Sequence, residues 1–122
     1  MAKYNDIPIL TKVLTVDSPE LYGSRNKQQE VEDFILSELN EVYSKLPLQS
    51  ELSSDEVGRV TQGAALALKA RVALFAGTWA KYHQHRSDYQ QLLQQAIDAA
   101  TKVIDSGAVS YTHLTLPTTS RV

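Results

Sequence analysis

Two histidines separated by a single residue are the first feature of this sequence whose chemistry suggests a metal ion. His83 and His85 flank Gln84, and the nearest carboxylate along the chain is Asp88. A zinc site needs three or four ligands and further partners that orient them. The sequence contains no cysteine that could complete such a set. We therefore interpret both imidazoles as solvated loop residues and predict neither a metal site nor a bound cofactor.

A second group of candidate residues consists of carboxylates between positions 30 and 41. Its members are Glu30, Glu32, Asp33, Glu38 and Glu41. Two carboxyl groups can perform acid–base catalysis when one lies in an apolar pocket and the other in a polar one. These acids are predicted to line mostly a polar helical face, where water relieves their repulsion. The sequence also lacks a phosphate-binding loop and a serine-nucleophile motif. We predict no enzymatic activity and no catalytic residue.

Three aromatic residues, Trp79, Tyr82 and Tyr89, lie around a polar connection that is predicted between two helices. Aromatic rings stack on sugar rings, and their flat shape costs little conformational entropy to hold in place. The competing interpretation is that they cover the end of a helix pair, because large aromatic side chains are commonly half-buried. These three residues are the candidates for ligand contact.

Composition narrows the class of protein. The chain has 122 residues, 43% of them hydrophobic, and a formal net charge of −2. Nucleic-acid binding normally requires a concentrated basic surface, so no nucleic-acid partner is expected. No apolar run approaches the roughly 20 residues that a membrane-spanning helix needs. The hydrophobic fraction is sufficient for a packed core.

The first elements that must position the candidate residues are an extended segment and a helix. Residues 1–25 contain two of the four prolines and no helical period, so they are predicted to be an extended entry segment. The first predicted helix runs from Asn26 to Leu46, with Asn26 and Gln29 as its N-cap pair and Pro47 as its stop. Its apolar stripe comprises Val31, Phe34, Ile35, Leu39, Val42, Tyr43 and Leu46.

A second predicted helix follows a polar loop over residues 47–60. Thr61 is its predicted N-cap, and an alanine-rich run from Ala64 to Ala76 forms its body. Gly77 is predicted to end it. Because only two residues of this helix are charged, we expect it to be buried on more than one side.

The third predicted helix spans Asp88 to Ser106, with a capping box formed by Ser87 and Gln90 and a stop at Gly107. Its predicted apolar face comprises Tyr89, Leu93, Ala96, Ile97, Ala100, Val103 and Ile104. Together with the second helix it resembles a tetratricopeptide repeat, although the connection is longer than that repeat allows. The predicted fold is all-α, with tetratricopeptide-like antiparallel helix pairs, about three helices and an extended N-terminal segment.

Four blocks of the sequence carry a family resemblance: Tyr4 to Leu10, Val31 to Pro47, Gly58 to Val72 and Ala96 to Ala108. They resemble the SusD/RagB family of outer-membrane nutrient-binding lipoproteins of Bacteroidetes-type bacteria. Asn5 departs from the family pattern, which favours glycine there. Because the four blocks occur in the same order, the resemblance covers essentially all of residues 4–108.

The resemblance implies a surface-exposed lipoprotein of the cell outer membrane that acts as a lid on a TonB-dependent, SusC-like transporter barrel. Such a protein captures a glycan or another nutrient for import and has no catalytic residues. Its ligand contacts lie mainly in loops and in sequence beyond this fragment, and no ligand motif of the family matches here, so the resemblance assigns no binding residue. The signal peptide and lipidation cysteine are absent and would lie upstream. A freestanding tetratricopeptide-like module that binds another protein's peptide is the alternative.

The end of the chain differs in character from the rest. Val109 to Thr118 is rich in threonine and resembles one translated reading frame of a transposase-type sequencing adapter. We therefore predict that residues 109–122 are a non-native tail and that residues 26–108 are a helical scaffold fragment of a larger SusD-like domain. Repeat-type helices bury their faces against neighbouring helices. The isolated fragment is therefore expected to expose an apolar patch and to be marginally stable or to aggregate.

Overall fold

The computed structural model describes residues 5–107. Three α-helices account for most of this region: α1 (Gln28–Val42), α2 (Gln62–His83) and α3 (Tyr89–Asp105). Short 3-10 helices occupy Pro19–Tyr22, Tyr43–Lys45, Gln49–Glu51 and Ser54–Glu56. The predicted all-α fold with an extended N-terminal segment is confirmed. The predicted tail lies outside the described residues.

The entry segment is attached to the start of α1 by hydrogen bonds around Asn26. The Asn26 backbone amide donates to the Ile7 carbonyl at 3.1 Å, and the Ile9 amide donates to Asn26 Oδ1 at 3.0 Å. The predicted cap pair of Asn26 and Gln29 is therefore wrong, because the Asn26 side chain binds the entry segment. Lys27 is the N-cap of α1.

The buried face of α1 differs from the predicted stripe. Val31 is buried as predicted, but Leu36, which was not predicted, is buried too, whereas Val42, predicted on the stripe, is 39% exposed. The α-helix ends at Val42, and a 3-10 turn continues it towards Pro47. Two polar residues, Gln28 and Glu32, are also buried on this helix.

α2 is the central helix and contacts both α1 and α3. Thr61 caps it as predicted, since its hydroxyl accepts a hydrogen bond from the Ala64 amide at 3.4 Å. The prediction that Gly77 ends the helix is wrong, because α2 continues to His83. A Cβ built on Gly77 would lie 2.9 Å from the Leu93 side chain of α3. The glycine therefore permits close packing of two helices and does not terminate one.

α3 packs on α2 through small side chains. The core cluster contains Leu36, Ala73, Ala76, Leu92 and Ala96. The predicted face of α3 included Ile97 and Ile104, which are each 58% exposed in the structure. The residues of α3 that are buried are Leu92, Ala96 and Ala99, of which only Ala96 was predicted, because α2 packs on the side of α3 next to the predicted face.

The predicted stop residue of α3 is found in the structure, but its predicted capping box is not. Asp88 is its N-cap, and no side chain accepts a capping hydrogen bond there, so the predicted box of Ser87 and Gln90 is wrong. Gly107 has a φ of 63°, the left-handed conformation expected of a helix stop. Within residues 5–107, no helix is both long enough and apolar enough to span a membrane.

Candidate functional site

The three aromatic candidates for ligand contact lie near the junction of α2 and α3, but in different environments. Trp79 belongs to a ladder of rings spaced one helical turn apart along α2. Its ring centroid is 5.7 Å from that of Phe75 and 4.0 Å from that of His83. Because one ring precedes the indole and the other follows it, Trp79 offers mainly its edge to a ligand.

Tyr82 and Tyr89 differ from Trp79 in exposure and position. Tyr82 is 77% exposed, and the Lys81 ammonium lies 5.9 Å from its ring centroid. Tyr89, the first residue of α3, is half-buried. Of the three, Tyr82 has the most accessible ring, and the role of all three in ligand contact stays a prediction.

Trp79 and Tyr89 line two different cavities near this junction. A cavity of about 520 Å³ lies between the entry segment, the start of α1 and the end of α2. Its lining includes Asp6, Lys27, Gln29, Trp79 and His83. Tyr89 lines another cavity, of about 680 Å³, beside the turn that joins α2 to α3. The first cavity presents polar groups and an indole edge, an arrangement that can exchange hydrogen bonds with a hydroxylated ligand.

His83 and His85 do not form a metal site with neighbouring carboxylates. His83 stacks on Trp79, and His85 Nε2 lies 3.8 Å from Glu32 Oε2. Among the described residues, no group of three or more histidine and carboxylate side chains could hold a metal ion. Both residues are exposed and His85 lies in the connection, as interpreted, but His83 belongs to the last turn of α2 and is not a loop residue. The His85 side chain is 24% exposed beside Glu32.

A buried ion cluster around Arg86 is the feature of this region that sequence reasoning missed. Arg86 lies in the turn between α2 and α3, and its side chain is only 4% exposed. Its guanidinium donates two hydrogen bonds to Asp88, at 2.6 and 2.7 Å. It also donates to Glu32 Oε2 at 3.0 Å and to Asp33 Oδ1 at 2.9 Å. One arginine therefore joins the turn to two adjacent carboxylates of α1.

Pairing keeps the side chains of the ion cluster charged and hydrogen-bonded despite burial. The Glu32 side chain is fully buried, and its second oxygen accepts a hydrogen bond from Gln28 Nε2 at 2.7 Å. The paired Asp88 carboxylate raises the pKa of Arg86, and the Arg86 guanidinium lowers the pKa of Asp88. No buried side-chain nitrogen or oxygen within residues 5–107 lacks a hydrogen-bond partner.

The carboxylates of the ion cluster are therefore engaged in structure. The prediction that these acids line mostly a polar face fails for Glu32, which lies at a buried position one turn from both Gln28 and Leu36. A buried carboxylate fixed by a permanent cation is poorly suited to exchange protons with a substrate. The cluster holds α1 against the α2–α3 turn and so shapes the two cavities beside it.

Asp88→Asn should reduce stability in a pH-dependent way. Above pH 5 the variant is expected to lose about 1–2 kcal/mol, because a charge-assisted hydrogen bond pair to Arg86 is weakened. Arg86 lowers the folded-state pKa of Asp88, so this stabilisation is present above the unfolded pKa and disappears as pH falls through the folded one. Urea unfolding from pH 7 down to pH 3 should therefore show the two proteins converging below about pH 4. Asp17→Asn, at an exposed position, serves as the control.

The arrangement of the three helices is similar to part of a solved protein structure. A SusD-like carbohydrate-binding protein from Bacteroides fragilis has a similar fold, with a TM-score of 0.66 and 20% sequence identity. The alignment covers 85% of this chain and 17% of that one. The likeness shows that this chain has the fold of a helical part of a SusD-like protein.

Sequence comparisons give no further relative. No family model and no curated protein matches the chain. The chain spans only about a sixth of the solved protein that it resembles, since the alignment covers 17% of that protein.

Proposed function

We propose that this chain is a scaffold segment of a longer SusD-like protein that captures glycans at the outer membrane. The observation that carries the proposal is the structural likeness to a SusD-like carbohydrate-binding protein, with a TM-score of 0.66 over 85% of this chain. The four sequence blocks that resemble the SusD/RagB family support it independently of the fold.

The proposed role is binding, without catalysis. The Glu32 and Asp88 carboxylates beside the cavities are held by Arg86, and Asp6, which lines one cavity, accepts a hydrogen bond from the Gln28 amide. In the longer protein the helices would support ligand-binding loops, and the protein would act with a TonB-dependent transporter barrel as a lipidated, surface-exposed lid. Tyr82, Trp79 and Tyr89 stay the candidates of this segment for sugar contact.

The sequence of the flanking DNA tests this proposal. We expect an open reading frame several times longer than this chain, an upstream signal peptide that ends at a lipidation cysteine, and an adjacent transporter gene. We also expect the native sequence to diverge from the printed one near residue 108. A ribosome-binding site immediately before Met1 and a stop codon close after residue 122 would instead support the freestanding peptide-binding module.

A further inference from the structure

The cavity between the entry segment, the start of α1 and the end of α2, here called the entry cavity, has the size of a small-molecule site. Its volume is about 520 Å³, and sites for small ligands commonly measure about 300–1,000 Å³. Polar side chains make up most of its lining, among them Asn5, Asp6, Lys27 and Gln29. The entry cavity can therefore hold a small ligand that exchanges hydrogen bonds with its walls.

Three hydrogen bonds fix the wall of the entry cavity that the entry segment forms. The Gln28 backbone amide donates to Asp6 Oδ1 at 2.9 Å. The Asn26 backbone amide donates to the Ile7 carbonyl, and Asn26 Oδ1 accepts from the Ile9 amide. Because this wall is held in place by α1 before a ligand arrives, binding there costs little ordering of the chain.

Asn5 has a left-handed backbone conformation at the edge of the entry cavity. Its φ is 56°. Glycine adopts this conformation most easily, and asparagine does so at some cost. The Asn5 side chain lines the cavity all the same. A side chain kept where the backbone favours glycine indicates a use for its carboxamide, which can both donate and accept a hydrogen bond.

The hydrogen-bonding groups of the entry cavity match those of a sugar. Among residues 5–107, Asp6 Oδ2 has no hydrogen-bond partner, because only Oδ1 is used by Gln28. The Lys27 ammonium forms no salt bridge with any described residue. The carboxamides of Asn5 and Gln29 offer both donors and acceptors. A sugar hydroxyl is itself a donor and an acceptor, so neighbouring hydroxyls of one ring can be satisfied by this mixed set.

The charges around the entry cavity favour a neutral sugar over an acidic one. With His83 and His85 neutral, the opposite charges of Asp6 and Lys27 balance each other in the lining. Glu30 adds a further negative charge beside Lys27, since its Oε2 accepts from the Lys27 backbone amide at 3.2 Å. The carboxylate of an acidic sugar would be repelled by Asp6 and Glu30, which offsets its attraction to Lys27.

We propose that the entry cavity is a subsite for one neutral sugar unit of a bound glycan, and that Asn5 and Asp6 bind neighbouring hydroxyls of that unit and so set the ligand preference. The edge of the Trp79 indole, held between the rings of Phe75 and His83, would provide the apolar contact. This inference rests on the proposed function, because it requires a longer protein that captures a glycan. The other units of the glycan would contact sequence beyond this chain.

Calorimetric titration of the longer protein encoded by the extended reading frame tests the subsite. The probes are neutral trisaccharides of glucose, mannose and xylose, with trigalacturonate as the acidic counterpart. Asn5→Gly removes the carboxamide without straining the backbone, and the new carboxamide of Asp6→Asn can still accept from the Gln28 amide. Two matched controls leave the entry cavity unchanged. Gln84→Gly replaces another left-handed residue, with a φ of 52°, and Asp17→Asn lies at an exposed position.

We expect the tightest-binding trisaccharide to be neutral. Its affinity should fall about 3–10-fold in Asn5→Gly and about tenfold or more in Asp6→Asn, the losses typical of a neutral and a charge-assisted hydrogen bond. Both control variants should bind it like the unaltered protein.

Three results would overturn the subsite and leave glycan capture standing. They are an unchanged affinity in either Asn5→Gly or Asp6→Asn, an equal loss in Gln84→Gly, and tightest binding by trigalacturonate. If no neutral trisaccharide bound the longer protein, the subsite would be overturned as well. Only binding of a peptide in place of every oligosaccharide would overturn the proposed function together with it.

Discussion

Replacing Arg86 by methionine is expected to lower the free energy of unfolding by about 3–5 kcal/mol. The change removes the cation that compensates Glu32, whose side chain is fully buried, while keeping most of the apolar stem of residue 86. A buried carboxylate without a counter-charge pays the full cost of desolvation. Such a loss is a large share of the about 5–15 kcal/mol by which small domains are stable, so urea denaturation should show a much lower midpoint for the variant.

Two further variants separate this effect from the general cost of a surface substitution. Arg59→Ala removes an exposed arginine that pairs with Glu56 three residues earlier, and it should cost less than about 1 kcal/mol. The double variant Glu32→Leu with Arg86→Met should recover much of the lost stability, since apolar residues can replace a buried ion pair at little cost. If Arg86→Met unfolded at the same urea concentration as Arg59→Ala, the cluster would not hold α1 in place.

Gly77→Ala should destabilise the chain by about 1–3 kcal/mol through overpacking. The new methyl group would lie 2.9 Å from the Leu93 side chain and 3.2 Å from the Leu93 backbone nitrogen. A flexible side chain can move aside, but the backbone contact requires α3 to shift away from α2. Thermal unfolding monitored by circular dichroism at 222 nm measures the effect.

Gly63→Ala is the matched control for Gly77→Ala. Gly63 lies in the first turn of α2, and a Cβ there would have no neighbour within 4 Å. The alanine should therefore stabilise the helix by up to about 1 kcal/mol, because it restricts the unfolded chain without a clash. The two substitutions are chemically identical, so opposite signs would isolate the close approach of α2 and α3. Equal stabilisation by both variants would contradict that packing.

Local signals in the sequence predicted where the helices lie better than how they meet. The repeats of apolar residues located all three helices, and Thr61 and Gly107 have the cap and stop roles that their residue types favour. The prediction that α2 ends at Gly77 was wrong, because glycine occurs both at helix ends and where two helices pack closely. The role of Gly77 depends on Leu93, a residue of another helix, and is therefore not encoded in its own neighbourhood.

The ion cluster was missed for a related reason. Arg86 looks like an ordinary polar residue of a connection, and its partners Glu32 and Asp33 lie more than fifty residues earlier in the sequence. One signal could have revealed it. Glu32 lies one turn before the buried Leu36 and one residue after the buried Val31, a position where an isolated charge would be costly. A carboxylate on a core stripe indicates that a cation must reach it from elsewhere.

The apolar face predicted for α3 is wider than the face that is buried in the structure. Ala96 is buried as predicted, yet Ile97 and Ile104 on the same stripe stay exposed. The sequence therefore specifies a wider contact surface than α1 and α2 cover.

Oligosaccharide binding by the longer protein is the most direct test of the proposed function. The protein encoded by the extended reading frame and this chain alone would each be titrated calorimetrically with a panel of polysaccharide-derived oligosaccharides. We predict that at least one oligosaccharide binds the longer protein, and that none binds this chain alone, because the ligand contacts lie mainly in sequence beyond it. Failure of the whole panel to bind the longer protein, together with binding of an unstructured peptide to its helices, would contradict glycan capture and favour the peptide-binding module.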